Sequence, residues 1–223
     1  MVHYIEKLIR EGEHQQQDFK FCIADSRKIA KSLSAFANTD GGKLLIGVKD
    51  NGKIAGAKVE EEFHMIKAAA EMYCRPKITF ESKVWQINGK NVLEITVHPS
   101  KKMPHYAENE KGKWLAYLRR DDENILANKV LLEVWKQKSK PIGTYLKYTE
   151  TETILMEYLN NNQEISLNLF CRIAKISRYK AERIVVKLIC WNVIELSFYE
   201  GGTKYLIKRE ENSIIQQPPV NDY

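Results

Sequence analysis

The stretch "SAFANTDGGKLLIGVKDNGKIAG", residues 34–56, decides the fold more than any other part of the chain. It opens as the end of an amphipathic helix, is interrupted by Gly41-Gly42 and continues as the apolar strand "KLLIGV". Because Asp50-Asn51-Gly52 is typical of a tight turn, we predict that "KLLIGV" and "KIAGA" form a β-hairpin. The acids Asp40 and Asp50 either serve these turns alone or line a site.

The segments on either side alternate between helical and strand patterns. Upstream, "VHYIEKLIREG" predicts a short amphipathic helix that ends at Gly12, and "QDFKFCI" alternates polar and apolar residues like a half-buried strand. Downstream, "EEEFHMIKAAAEMY" predicts a helix, and "ITFESKVWQI" and "NVLEITV" predict a hairpin around Asn88-Gly89. A polar loop, "PSKKMPHYAENEKGK", is followed by the strand "WLAYLRR" and the helix "ILANKVLLEVWKQ". This order predicts an α+β fold around a mixed sheet.

The composition is that of a globular protein with a modest basic excess. Among 223 residues, 43% are hydrophobic and 29% are charged, and Lys plus Arg outnumber Asp plus Glu by 35 to 29. The amino terminus has no basic region followed by an apolar run, and no apolar run is long enough to cross a bilayer, so we expect no signal peptide and no membrane contact. The cysteines, Cys22, Cys74, Cys171 and Cys190, have no zinc-ligand spacing. We therefore expect a cytoplasmic protein with free thiols.

The composition changes at "KQKSKPIGTYLKY", where Lys, Ser, Pro and Gly crowd together. We place a domain boundary there, within residues 138–147. The sequence thus predicts an α+β domain over residues 1–140, a smaller domain over 145–210 and a flexible tail over 211–223.

The smaller domain has the pattern of a winged helix-turn-helix. Three helices, "TETETILMEYLNNN", "SLNLFCRIA" and "SRYKAERIVVKLICW", precede a hairpin made of "VIELSFYE", Gly201-Gly202 and "TKYLIKR". In this fold the second helix of the motif, which is the third helix here, enters the major groove of DNA. Its buried stripe would consist of Ala181, Ile184, Val185, Leu188 and Ile189.

The opposite face of this third helix is the predicted nucleic-acid contact. The helical periodicity turns Tyr179, Lys180, Arg183 and Lys187 toward solvent. Residues 172–187 contain one acidic residue, Glu182, and six basic residues: Arg172, Lys175, Arg178, Lys180, Arg183 and Lys187. Such a face would bind phosphates in a salt-sensitive manner. We expect Arg178, Tyr179, Lys180, Arg183, Lys187 and the wing residue Lys204 to contact nucleic acid, although winged helices also bind proteins.

The larger domain resembles a known family. The segments "GEHQQQDFK", "AFANTDGG" and "IGVKDNG", followed by "KMPHY" and "YLRRDD", are together similar to the Schlafen AlbA_2 domain family over about residues 3–130. Members usually show Arg followed within two residues by Gly-Ser, whereas this chain has Arg119-Arg120-Asp121-Asp122. Bacterial and archaeal members are described as DNA-binding domains, often with helix-turn-helix modules appended. The resemblance therefore implies DNA binding without a required cofactor.

The same resemblance implies an alternative activity. Some vertebrate Schlafen proteins cut transfer and ribosomal RNA with a metal-dependent trio of acids, which would fall on Glu13, Asp18 and Asp50 here. Clustered carboxylates can hold Mg²⁺ or Mn²⁺, and Asp18 replaces the Glu that is common at its position. Each acid also has a simple structural explanation as an exposed, ion-paired or turn residue.

We expect a nucleic-acid-binding protein that prefers DNA to RNA and regulates transcription. The alternatives are a divalent-metal-dependent endoribonuclease and a protein-interaction module. Vertebrate Schlafen cores place two related lobes around a basic valley, so the resemblance also implies a homodimer for a chain with one lobe.

Overall fold

The computed structural model describes residues 4–138, 149–199 and 201–209. The chain divides into two compact units, Met1–Pro141 and Ile142–Tyr223, called the amino-terminal and the carboxyl-terminal unit below. The flexible tail expected over residues 211–223 lies outside the described residues, as does most of the segment 138–147. In the described part of the chain, none of the helices combines the length and hydropathy needed to span a membrane.

The amino-terminal unit mixes helices and short strands, as predicted. Its described elements, in chain order, are α1 (Tyr4–Glu11), β1 (Gln17–Lys20), α2 (Ser26–Ala37), β2 (Gly42–Ile46), α3 (Val59–Met72), β3 (Cys74–Arg75), β4 (Glu81–Ile87), β5 (Lys90–Val97), β6 (Tyr106–Glu108), β7 (Trp114–Arg120), β8 (Glu123–Leu126) and α4 (Lys129–Lys138).

Two four-stranded sheets organise this unit. The first has the order β1-β2-β5-β4, in which β1 and β2 are parallel and the other neighbours are antiparallel, and the second has the order β3-β6-β7-β8. Helix α2 connects the parallel strands and is capped by Asp25, whose side chain accepts a hydrogen bond from the Arg27 amide. Helix α2 contributes Leu33 and Phe36 to a buried cluster that also contains Ile95 of β5. The predicted α+β fold with a mixed sheet is confirmed.

The predicted hairpin around residues 50–52 forms, but it is shorter than expected and does not include β2. Strand β2 pairs with β1 and β5, and after β2 a single antiparallel bridge, Val48 with Ile54, joins the two sides of the turn. The Gly47 carbonyl accepts hydrogen bonds from the amides of Ala55 and Gly56, and the Lys49 amide donates to the Lys53 carbonyl, so the antiparallel pairing is limited to residues 47–49 and 53–55. A side chain at Gly47 would lie 2.8 Å from the Ala57 nitrogen, so this packing requires glycine.

Two boundaries also differ from the prediction. The polar loop after β5 contains the short strand β6, and "ILAN" does not begin a helix, because residues 125–126 belong to β8. Helix α4 begins after Asn128, whose side-chain oxygen accepts a hydrogen bond from the Leu131 amide at 2.8 Å. This cap places the start of the helix at the asparagine.

The carboxyl-terminal unit contains three helices and a small sheet in its described residues. Its elements are α5 (Glu150–Asn161), β9 (Ile165–Ser166), α6 (Leu167–Ile173), α7 (Arg178–Cys190), β10 (Ile194–Tyr199) and β11 (Gly202–Ile207). The sheet is antiparallel with the order β10-β11-β9. The buried core of the carboxyl-terminal unit includes Leu155, Phe170, Val185 and Leu188. Thr149 and Glu152 form a capping box at the start of α5.

Candidate functional site

Helix α7 presents one apolar face and one basic face. Ser177 caps the helix, because its hydroxyl accepts a hydrogen bond from the Lys180 amide. The predicted buried stripe is confirmed, since its five members are at most 8% exposed: Ala181, Ile184, Val185, Leu188 and Ile189. The rotation of the helix is therefore fixed by its packing.

Three side chains of the predicted contact face are exposed. Tyr179 is 66% exposed, and the Arg183 guanidinium lies 5.8 Å from the centre of its ring. Lys180 is also exposed, and among the described residues neither Lys180 nor Arg183 has a carboxylate within ion-pair distance. This part of α7 is therefore a positive surface whose charges are available to a ligand.

Lys187 does not point freely into solvent, contrary to the sequence interpretation. Its ammonium nitrogen lies 2.5 Å from a carboxylate oxygen of Glu152, which is buried and also accepts a hydrogen bond from the Thr149 hydroxyl. Burial alone would raise the pKa of Glu152, but its hydrogen bonds with Lys187 and Thr149 outweigh burial and lower that pKa. Lys187 therefore neutralises a buried acid that the helical pattern could not reveal.

Two other predicted contact residues have acidic partners. The Arg178 guanidinium lies 3.2 Å from Glu182 and also donates to the Asn168 side chain. Lys204 is paired with Glu164 and lies over the Tyr199 ring. These pairs reduce the positive charge that Arg178 and Lys204 offer to a ligand.

In the amino-terminal unit, the structure brings Glu13 and Asp18 together. A carboxylate oxygen of Glu13 accepts a hydrogen bond from the Phe19 amide at 2.8 Å, and the Glu13 carboxyl group lies beside that of Asp18. Burial and the Asp18 carboxylate raise the pKa of Glu13. When the pair holds one proton, Glu13 therefore carries it rather than Asp18.

Asp18 is surrounded by positive groups. Its carboxylate lies 2.9 Å from the Lys20 ammonium and 3.8 Å from the buried Arg119 guanidinium. Burial raises the pKa of Asp18, but the hydrogen bond from Glu13 and the charges of Lys20 and Arg119 outweigh burial and lower it. The charge of Asp18 is thus compensated within the fold.

Asp50 does not join this pair. It is exposed in the turn after β2, and among the described residues no hydrogen bond or ion pair connects it with Glu13 or Asp18. Within the same residues, no group of three or more His, Cys, Asp or Glu side chains could hold a metal ion. The arrangement of the three acids therefore does not fit the metal site that the resemblance implies.

The asparagine of "AFANTDGG" is a structural hub. The Asn38 amide group donates to the carbonyl oxygens of His105 and Tyr117 at 2.8 and 2.9 Å, and its oxygen accepts from the His105 amide at 2.7 Å. His105 is buried as well, which lowers the pKa of its imidazole. Sequence reasoning missed this role, although an Asn at the end of a buried helical stripe is a signal for it.

The remaining residues of this motif also serve the fold. The Gln15 amide group donates to the Asp40 carboxylate at 2.9 Å and to the Arg119 carbonyl at 3.0 Å. A side chain at Gly42 would lie 2.4 Å from the Phe36 ring, so a larger residue would collide with the core. Asp40 and Gly42 are thus explained without a ligand.

The departure from the family pattern after Arg119 lies in a tight turn. Asp121 has a φ of 53°, a left-handed conformation that glycine adopts most easily and that Asp tolerates. Its amide donates to the Gln15 side chain at 2.9 Å. The aspartate therefore preserves the backbone conformation that a glycine would favour.

A second polar cluster joins helix α1 to the first sheet. Glu94 is buried and accepts hydrogen bonds from the Trp85 indole at 2.7 Å and the Tyr4 hydroxyl at 3.1 Å. Burial lowers the pKa of the neighbouring Lys43, but its hydrogen bond with Tyr4 and the Glu94 carboxylate outweigh burial and raise it. The Tyr4 and Trp85 rings, 4.9 Å apart, border an open pocket of about 530 Å³. Sequence periodicity gave no signal for this pocket.

Two solved structures are similar to part of the chain at low identity. None of the curated proteins matches the chain. Among solved structures, the DIP2311 protein from Corynebacterium diphtheriae is 17% identical to this chain, with a TM-score of 0.43. The match covers 57% of this chain and 28% of the DIP2311 chain. The N-terminal domain of a Nitrosomonas europaea protein, named as related to the ATP-dependent DNA helicase RecG, is 21% identical with a TM-score of 0.40. That match covers 53% of this chain and 89% of the domain.

The model of the family described as "Schlafen, AlbA_2" matches residues 13–128. The match begins at Glu13 and ends beyond β8, so it spans both sheets and the Asn38 hub. Since these residues make up more than half of the chain, the protein belongs to the Schlafen AlbA_2 family.

Proposed function

We propose that the protein binds nucleic acid, with double-stranded DNA preferred to RNA, and that it acts as a regulator of transcription. The observation that carries this proposal is the exposed basic surface of α7, formed by Tyr179, Lys180 and Arg183. Glu182 on α7 and Glu152, which pairs with Lys187 of α7, are both buried and paired with basic side chains. A duplex approaching this surface would therefore meet positive charge and few competing acids.

The order of elements supports treating the carboxyl-terminal unit as a winged helix-turn-helix. Helix α6 and helix α7 follow one another across a short turn, and the hairpin β10-β11 then pairs with β9. In such a module α7 would enter the major groove, where Arg183 and Lys180 can contact phosphates or base edges.

The proposal can be tested by measuring the binding of DNA and RNA duplexes at several salt concentrations. The double variant Lys180→Ala/Arg183→Ala should bind DNA more weakly and lower the salt slope by about 1.8, or 0.9 for each phosphate that is no longer neutralised. A matched control, Lys67→Ala/Lys77→Ala, removes the same charge from exposed positions of the amino-terminal unit. If the control lowers the slope as much as the α7 variant, α7 is not the interface.

The ribonuclease alternative has weaker support. Glu13 and Asp18 lie side by side, Lys20 and Arg119 compensate the charge of Asp18, and Asp50 contacts neither acid among the described residues. Including Mg²⁺ or Mn²⁺ in the RNA experiment tests the alternative directly. Robust cleavage that disappears in Asp50→Asn would replace the regulator proposal with a nuclease.

A further inference from the structure

Strand β4 is an edge of the first sheet. It pairs with β5 on one side, and among the strands that the structure describes none pairs with the other side. Val84, at the middle of β4, is 48% exposed, and Ser82 and Gln86 on the same face of the strand are exposed as well. A seven-residue strand therefore offers an open row of backbone groups.

The register of the β4-β5 hairpin identifies the backbone groups that face this open side. Residues 88 and 89 form a two-residue turn with φ values of 50° and 75°, so Ile87 and Lys90 exchange backbone hydrogen bonds. The next pair, Gln86 and Asn91, does not exchange backbone hydrogen bonds, since the Asn91 carbonyl accepts a hydrogen bond from the Ala57 amide instead. By alternation, the N–H and C=O groups of Ser82, Val84 and Gln86 point away from β5.

We propose that this edge pairs with β4 of a second copy of the chain, in antiparallel orientation with Val84 on the two-fold axis. In this register Val84 lies opposite Val84, and Ser82 lies opposite Gln86 on both sides of the axis. The three outward-facing residues of each copy then form about six backbone hydrogen bonds across the interface. The two sheets become one continuous eight-stranded sheet.

In this register the side chains of β4 in one copy are complementary to those of β4 in the other copy. On one face, Lys83 lies opposite Trp85 of the second copy, and the Lys83 ammonium already lies 3.9 Å from the centre of the Trp85 ring in its own strand. On the other face, the two exposed Val84 side chains cover one another. The interface thus removes an apolar residue from water and puts no like charges directly opposite each other.

The neighbouring registers are less favourable. An axis at residue 83 places two Lys83 ammonium groups directly opposite each other, which is destabilising in a sheet. An axis at residue 85 pairs Val84 with Gln86, so the two valines no longer cover one another. The Lys83 charge and the apolar Val84 side chain therefore favour the register with Val84 on the two-fold axis.

Disulfide cross-linking tests this register. In a Cys22→Ser background, which removes the exposed native thiol, Val84→Cys should form a disulfide-linked dimer under mild oxidation. Its two Cα atoms would lie about 5.5 Å apart, within the range that a disulfide spans. The matched control Ser82→Cys places its two Cα atoms about 13 Å apart along the strands and should cross-link at least about tenfold more slowly.

Light scattering tests the dimer without new cysteines. The wild type should show twice the 25.9 kDa mass of one chain, Val84→Thr should keep that mass, and Val84→Lys should lose it while its circular dichroism stays unchanged. A monomeric wild type would overturn the proposal. Equal cross-linking of the two cysteine variants would do so as well, and so would a dimer that survives Val84→Lys.

Discussion

The Lys187 ammonium lies 2.5 Å from the Glu152 carboxylate and joins α7 to α5 through an ion pair that is largely removed from water. Glu152 is 3% exposed, so it depends on Lys187 and Thr149 to offset the loss of hydration. A basic residue on the predicted DNA-binding face is therefore a structural residue.

This pair predicts that Lys187→Met destabilises the carboxyl-terminal unit. We expect a loss of about 2 kcal/mol, less than for a fully buried pair because a third of the Lys187 side chain is exposed. Differential scanning calorimetry of the full chain would measure it, with Lys180→Met as the exposed control and little change expected there. Because the pKa of Glu152 is lowered, the contribution of the pair is present at neutral pH and is lost as the pH falls through that lowered pKa. Equal stability of the two variants at neutral pH would contradict this assignment.

The paired carboxyl groups of Glu13 and Asp18 predict a pH-dependent effect of Glu13→Gln. The folded pKa of Glu13 is raised, so its stabilising contribution is present in acid and is lost as the pH rises through that pKa. Gln keeps an acceptor for the Phe19 amide and a donor for Asp18 at every pH, so the variant should be more stable than the wild type by about 0.5–1 kcal/mol at neutral pH.

Thermal unfolding at acid and neutral pH measures this difference. The gain should shrink toward acid pH, where Glu13 itself is protonated. Glu11→Gln, on the exposed surface of α1, should show no such trend. A gain that does not vary with pH would show that the two carboxyl groups do not share a proton.

The Asn38 hub predicts a large loss of stability on substitution. Asn38→Ala removes a donor from two carbonyl oxygens, of which that of His105 keeps the Ser34 hydroxyl, and leaves the His105 amide without its acceptor, which should cost about 3 kcal/mol. Asn51→Ala removes an asparagine from an exposed turn and should cost less than about 0.5 kcal/mol. Urea unfolding followed by circular dichroism compares the two variants, and similar midpoints would mean that the hub contributes little.

Local sequence patterns predicted most of the elements, because helix stripes and hairpin turns depend on neighbouring residues. The β4-β5 hairpin followed from Asn88-Gly89, and the buried stripe of α7 followed from its helical spacing. The hairpin at residues 50–52 is shorter than predicted, because β2 pairs with β1 and β5 instead of with the segment after the turn. The parallel pairing of β1 with β2 also depends on contacts between distant segments.

The candidate sites were predictable to a smaller extent. Helical periodicity identified Tyr179, Lys180 and Arg183 as exposed, since that property depends on one helix alone. It could not show that Lys187 meets Glu152, which lies 35 residues earlier in the chain. Nor could it show the cluster around Glu94, whose partners Tyr4 and Trp85 come from different elements.

The close approach of Gly42 to Phe36 has a consequence for the evolution of the family. The space that a Cβ atom at position 42 would need is already filled by the Phe36 ring, which is itself completely buried. A mutation of either residue alone is therefore harmful, through a collision in one case and a cavity in the other. In related chains of this fold, we expect a larger residue at position 42 to be accompanied by a smaller one at position 36, so that the two positions covary.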